Sequence, residues 1–207
     1  MSNMRKIAII DYGMGNLHSA AKAFEQVGAS VTVTRDPAEV LSAEQVVLPG
    51  VGAFGDCMVN LRQRGLEAVI HEVIAAGKPF LGICVGLQML FEGSEEDPGV
   101  PGLGVFKGLV RKIVAPTLKI PHMGWNNLEF RAASPLFANL PQPAYVYFVH
   151  SYHAVPADES ILTAVTDYGG TVTAAVGRGK VQAVQFHPEK SSGVGLQILK
   201  NFKEMPL

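Results

Sequence analysis

Short apolar runs that alternate with helix-patterned segments constrain this chain more than any other feature. Lys6–Asp11, Val31–Thr34, Val46–Leu48 and Pro79–Ile83 are four such runs, each of strand length. Between the first two, Leu17, Ala20, Ala21, Phe24 and Val27 fall on one helical face, and Gly28 is placed to end it. Asp36-Pro37-Ala38-Glu39 then carries an N-cap residue, a proline at the first helical position and an acid at the third. Met58–Ala76 is largely helical in pattern. Strand–helix–strand alternation needs crossovers, and crossovers are right-handed. The first half therefore predicts a mostly parallel sheet covered by helices on both faces.

The second half is different. Leu109–Val114, Ala144–Val149, Ile161–Val165, Val172–Val176 and Val181–Phe186 read as strands separated by turns. Tyr168-Gly169-Gly170 and Gly177-Arg178-Gly179-Lys180 are hairpin loops in this reading. A final helix aligns Val194, Ile198 and Phe202 at i, i+4 and i+8. The expected fold is α/β, with a doubly wound, mostly parallel sheet and an antiparallel extension. With 207 residues and no linker-like stretch, one domain over 1–207 is expected.

Charge narrows the function classes. Seventeen basic residues against 18 acidic ones leave a formal charge of −1, with Lys and Arg scattered. No field for nucleic acid or anionic lipid arises from that balance. The apolar run after Arg5 and Lys6 ends at Asp11, short of the roughly 7–15 residues of a secretory core. No stretch approaches the ~18 apolar residues of a membrane span. Cys57 and Cys84 form no CxxC pair, and free thiols suit a cytoplasmic setting.

The chemistry concentrates at Gly82-Ile83-Cys84-Val85-Gly86, directly after an apolar strand and before a helical segment. This is the nucleophile-elbow pattern with cysteine in place of serine. Flanking glycines let the backbone turn sharply, and free N–H groups at a helix start favour a thiolate. An isolated cysteine is usually a small buried hydrophobe; symmetric glycines at a strand–helix junction argue for the nucleophile. A nucleophile needs a base, and the base needs an orienting group. Phe186-His187-Pro188-Glu189 supplies both, with Pro188 biasing His187 toward an extended backbone that would put His187 and Glu189 on one side.

Gly50, Gly52 and Gly55 satisfy a dinucleotide fingerprint, yet the loop follows the third strand, Asp56 would sit beside a pyrophosphate, and Pro49 stiffens the entry. The loop is better read as an oxyanion site built from Val51 and Gly52, with the amide of Val85 as the second donor. The acidic stretch Glu92, Glu95, Glu96 and Asp97 offers a carboxylate for a substrate ammonium. Cys57 reads as core. His18, His71, His122, His150 and His153 have no metal-ligand spacing, so no metal and no cofactor is expected.

Six segments together resemble the class I (triad) glutamine amidotransferases. They are Asp11–Asn16, Leu48–Asp56, Gly82–Gln88, Pro121–Asn126, Tyr147–Tyr152 and Gln185–Ser191. Within the family, the Asp11–Asn16, Pro121–Asn126 and Tyr147–Tyr152 segments are similar to the branch that feeds imidazole glycerol phosphate synthase in histidine biosynthesis. The resemblance implies a flavodoxin-like core and a Cys84, His187, Glu189 triad. It also implies L-glutamine held by Gly50, Gly52, Gln88, Glu96 and the His150-Ser151-Tyr152 backbone. Ammonia would pass to a (β/α)8-barrel cyclase subunit of a heterodimer, with Tyr12, Asn16, Trp125 and Lys190 near the partner-facing exit. Alternatives are a glutaminase of another pathway, such as one feeding pyridoxal phosphate synthase, a γ-glutamyl hydrolase, or a non-catalytic docking module of the same fold.

Overall fold

The computed structural model describes residues 5–207; the first four residues of the expected domain lie outside them. Strands β1 (Lys6–Ile10), β2 (Ser30–Thr34), β3 (Gln45–Gly50) and β4 (Phe80–Cys84) form the first half of the main sheet. Every residue of β3 and β4 is buried, as continuous apolar runs require when helices cover both faces. β2 lies at the sheet edge and is mostly exposed or half-buried. The helices between them are α1 (Leu17–Gln26), α2 (Pro37–Ser42), α3 (Phe54–Gln63) and α4 (Leu66–Ala75). Asp36 caps α2 as its sequence implied, its side chain accepting from the Ala38 amide at 2.9 Å.

The stretch Met58–Ala76 is two helices rather than one. Gly65 adopts φ 68° between α3 and α4, a left-handed conformation that turns the chain while Arg62 and Glu67 bridge the break at 2.8 Å.

The elbow leads into α5 (Val85–Met89), and β5 (Gly93–Ser94), β6 (Gly108–Lys112), β7 (His122–Asn127) and β8 (Glu129–Phe130) follow. Next come β9 (Tyr145–His150), β10 (Tyr152–Pro156), β11 (Leu162–Asp167), β12 (Thr171–Arg178), β13 (Val181–Val184) and α6 (Ser192–Lys203). The main sheet runs β2-β1-β3-β4-β13-β12-β11-β8. Its first five strands are parallel, and β12, β11 and β8 continue antiparallel. That is a doubly wound, flavodoxin-like core with an antiparallel extension. The chain leaves β1 toward β2 and returns past it to β3, so right-handed crossovers put α1 opposite α2, α3 and α4. α6 joins α1, with Phe24 and Phe202 edge to face at 6.0 Å and both fully buried. Burying each ring contributes roughly 1.5–3 kcal/mol.

Four strands, β5, β7, β8 and β10, fall outside the expected apolar runs. β7 pairs antiparallel with β9 as a separate ribbon, and β10 with β6 in a small sheet that includes β5. One face of β7 is Met123 and Trp125, both more than half exposed, and the other is His122, Gly124 and Asn126. No helix of the described residues is long and apolar enough to cross a membrane.

Candidate active site

The carboxyl ends of β3, β4 and β13 lie side by side, at the end of the sheet where open α/β folds place their sites. At the end of β4, Cys84 is held at φ 57°, ψ −113°, a left-handed region unfavourable to a residue with a Cβ. The glycines make that turn possible. A Cβ on Gly86 would overlap the Leu48 carbonyl oxygen, and one on Gly82 would stand 2.8 Å from the Gly86 carbonyl oxygen. Strand and helix therefore meet backbone to backbone, and the strained residue between them turns its side chain toward a cavity of about 300 Å³.

That cavity is lined by Val51, Gly52, Cys84, Val85, Gln88, Glu96, His150, Ser151, Tyr152, His187 and Lys190, together with Pro121 and Val149. Residues from six separate segments thus meet around one small-molecule-sized space. His187 follows β13, and its main-chain amide is docked on the Tyr147 carbonyl at 3.0 Å. Its Nδ1 donates to Glu189 Oε1 at 2.7 Å, with both side chains only 3% exposed. The contact does not arise from an extended segment. Pro188–Lys190 is a single 3₁₀ turn, which curls Glu189 back against the imidazole.

Burial disfavours the imidazolium, but the Cys84 sulfur and the Glu189 carboxylate beside it outweigh that cost and raise the His187 pKa to about 10. The ring is then charged at neutral pH. Its Nε2 is buried and makes no aligned hydrogen bond, leaving a donor free for the neighbouring Cys84 sulfur.

Two expected site residues are placed differently. Gly50 does not line the cavity: a Cβ there would lie 2.8 Å from the Gly86 amide nitrogen and 2.9 Å from the Tyr12 hydroxyl, so its role is close packing beneath the elbow. Tyr12 is fully buried rather than partner-facing, because its hydroxyl donates to the Pro49 carbonyl at 2.8 Å. Asn16 lines a narrow crevice with Pro49, Val51, His187 and Glu189, too tight for a water molecule. Trp125 is 52% exposed, and Lys190 is exposed at the cavity rim.

The glycine-rich loop has its own anchors. Glu96 Oε2 accepts from the Phe54 amide at 2.9 Å, and Asp97 Oδ2 from the Gly55 amide at 2.7 Å. Two carboxylates occupy the start of α3, where a pyrophosphate would have to sit, which excludes the nucleotide reading of this loop. Cys57 is core, as expected, yet its Sγ also donates to the Val51 carbonyl at 3.4 Å. Burial pushes that thiol up to about 11, so it remains a donor.

Supporting contacts come from Ser191, which the sequence did not single out as a site residue, and from Gln88 and His150, which were expected around the ligand. Ser191 Oγ donates to the His187 carbonyl at 2.6 Å and accepts from the Tyr147 amide at 2.9 Å, tying the base to β9. Gln88 Nε2 donates to the Tyr152 carbonyl at 3.0 Å. His150 Nδ1 reaches the same carbonyl at 2.8 Å, and its Nε2 lies 3.0 Å from His122 Nδ1. The His150 ring is therefore committed within the protein, leaving main-chain groups of this segment for a ligand.

Burial lowers the His122 pKa to about 4; at His150 burial, with positive neighbours, outweighs the Tyr152 carbonyl bond and lowers it to about 3. An unfolded chain takes up protons on these residues near 6.5. Between pH 6.5 and about 4 the unfolded state therefore binds more protons, and stability falls as pH falls. The thermal midpoint is expected to drop across that window while the NMR resonances of both rings stay unchanged. Titration of either ring above pH 5.5 would contradict the assignment.

Comparison with known proteins identifies the family. The family model "Glutamine amidotransferase class-I" matches residues 8–205. A protein of Moorella thermoacetica, named imidazole glycerol phosphate synthase subunit HisH, is 52% identical over 202 residues, covering 98% of this chain and 96% of its own. The protein of that name from Thermosynechococcus vestitus is 56% identical over 199 residues, covering 95% of each. A crystal structure of a glutamine amidotransferase shares the fold, with a TM-score of 0.74 at 20% identity over 95% of this chain and 98% of that one. On its sequence and its fold, this chain belongs to the class-I glutamine amidotransferase family.

Proposed function

We propose that the chain is the cytoplasmic glutaminase subunit of an imidazole glycerol phosphate synthase, forming one domain and working through Cys84, His187 and Glu189. The observation that carries this reading is a cysteine on a strained strand–helix turn, sharing one cavity with an imidazole that a buried carboxylate holds at 2.7 Å. Cys84 attacks the side-chain amide carbon of L-glutamine as a thiolate. The oxyanion accepts from main-chain N–H groups of the Val51–Gly52 loop and Val85, donors worth about 3–4 kcal/mol each. His187 delivers its Nε2 proton to the amide nitrogen, ammonia departs, and a glutamyl thioester remains on Cys84. Neutral His187 then takes a proton from water, which cleaves the thioester to glutamate. Glu189 fixes the imidazole tautomer and balances its charge. Gln88, Glu96, Lys190 and the His150–Tyr152 backbone surround the amino acid.

Ammonia released into neutral water would be protonated and lost as a nucleophile. A (β/α)8-barrel cyclase partner that receives it directly gives the two activities a physical reason to be joined. The relatives carry the synthase subunit name along nearly their whole length, which favours this pathway over other glutaminases. A formed cavity lined by Cys84 and His187, with Glu189 behind the imidazole, favours an enzyme over a docking module. Met123 and Trp125 give the β7–β9 ribbon an exposed apolar face suited to a partner. Gly50 and Gly52 flank Val51, so the Val51–Gly52 peptide can turn cheaply and complete the oxyanion site only in the complex. Ammonia release from glutamine should accordingly rise on the order of 10²-fold when the barrel subunit and its ligand are added, the effect of one oxyanion donor. Rapid turnover by the isolated chain would count against this gating.

A further inference from the structure

The Cys84 sulfur has a second neighbour that the triad does not use. Gln185 follows β13, is fully buried, and places its Nε2 3.8 Å from Sγ. Which end of an amide faces a group must be settled by the surrounding hydrogen bonds. Here they settle it. The Tyr152 carbonyl can only accept, so the end of Gln88 that meets it at 3.0 Å must be the nitrogen. The second hydrogen of that nitrogen goes to Gln185 at 3.1 Å, where only an oxygen can receive it. Gln185 is thereby fixed with its Oε1 toward Gln88 and its Nε2 toward the sulfur.

An amide N–H cannot accept, so a sulfur facing it must. The thiol proton, when present, is directed away from Gln185 and is left for His187. When the sulfur is charged, the same contact becomes a charge-assisted hydrogen bond, roughly twice as strong as a neutral one. The Tyr152 carbonyl that anchors this arrangement is held in turn by His150 Nδ1 at 2.8 Å, and His150 by His122 at 3.0 Å. Both rings are kept neutral by burial, so the relay keeps one set of donors and acceptors at physiological pH. A buried amide serving only to fill space would carry the cost of its polar atoms for nothing that a methionine could not do.

We propose that Gln185 is a fourth member of the catalytic machinery, donating from Nε2 to the Cys84 thiolate and aiming it at the substrate carbonyl, oriented by the Gln88 amide. The proposal rests on the reading of Cys84 as nucleophile.

The test is the rate of iodoacetamide alkylation of Cys84 in the full chain, followed on its own peptide by mass spectrometry and repeated across pH. Gln185→Met keeps the volume and removes the donor. It is expected to alkylate about tenfold more slowly at pH 7, the size of one hydrogen bond to a charged group, with its pH profile moved upward. With the barrel partner, kcat should fall by a similar factor at unchanged KM. Gln185→Glu keeps the shape and an acceptor for Gln88 but sets a like charge against the sulfur, so its loss should be larger at pH 8 than at pH 6. Should Gln185→Met not fold, this second variant decides. Wild-type alkylation rates and pH profile in folded variants would overturn the proposal while leaving Cys84 as nucleophile. Glutaminase activity surviving in Cys84→Ala would instead remove the reading beneath it.

Discussion

Cys84→Ala is expected to lower glutamine-driven synthesis by at least about 10⁴-fold while leaving synthesis from added ammonia at the wild-type rate. Losing the nucleophile of a covalent mechanism costs on this scale, because the residual catalysis comes only from oxyanion donors and binding. The separation of the two activities follows from where the sulfur sits. It faces the cavity at the end of β4, whereas the exposed apolar face of β7 is built from other residues. The substitution removes one atom, and alanine meets the same cost as cysteine at φ 57°, so the fold should be retained. Glutamate release and coupled synthesis, measured on the same complex, check both halves. A parallel fall in ammonia-driven synthesis would mean that the substitution damaged the assembly rather than the chemistry.

Glu189→Gln is expected to reduce glutamine turnover by about 10²–10⁴-fold with little change in size or shape, as loss of the orienting carboxylate does in related triads. Glu189 Oε1 accepts from Nδ1 at 2.7 Å, which leaves the unpartnered Nε2 to hold the transferable proton. A glutamine can turn its NH₂ toward the ring and favour the opposite tautomer. It also removes one of the two partners that raise the His187 pKa to about 10, so less of the ring is charged at neutral pH. The sign of the stability effect is fixed by the same shift. A histidine whose folded pKa lies above its unfolded 6.5 stabilises the fold below 6.5, and that contribution fades as pH rises toward 10. Glu189→Gln should therefore lose most stability at and below neutral pH and least above pH 10. Equal destabilisation across that range would show that the carboxylate acts through packing alone.

How much of this was legible depends on whether the physical constraint was local. β3 and β4 could be read because burial on both faces demands unbroken apolar runs. The elbow could be read because glycines on both sides of Cys84 are a steric requirement of the turn itself. β7 could not: its inward side chains are His122 and Asn126, which bond to His150 on β9 and to the Asp167 carbonyl, with the side-chain-free Gly124 between them. The break at Gly65 was hidden by helical periodicity on either side of a single left-handed residue. Tyr12 was assigned to the partner and Gly50 to the ligand because they belong to matching segments. Their burial against the elbow is set by residues more than 30 positions away. Gln185, Gln88 and the two histidines form one network drawn from four segments, and only the folded chain brings them together.

Covalent trapping gives the most direct test of Cys84 as the attacking atom. A glutamine-like diazo-ketone, incubated with the complex and mapped by peptide mass spectrometry, should leave one adduct per chain on Cys84 and none on Cys57. Labelling should fall sharply in His187→Ala. An adduct on Cys57 or elsewhere, or none on Cys84 in a complex that still releases ammonia from glutamine, would contradict the mechanism.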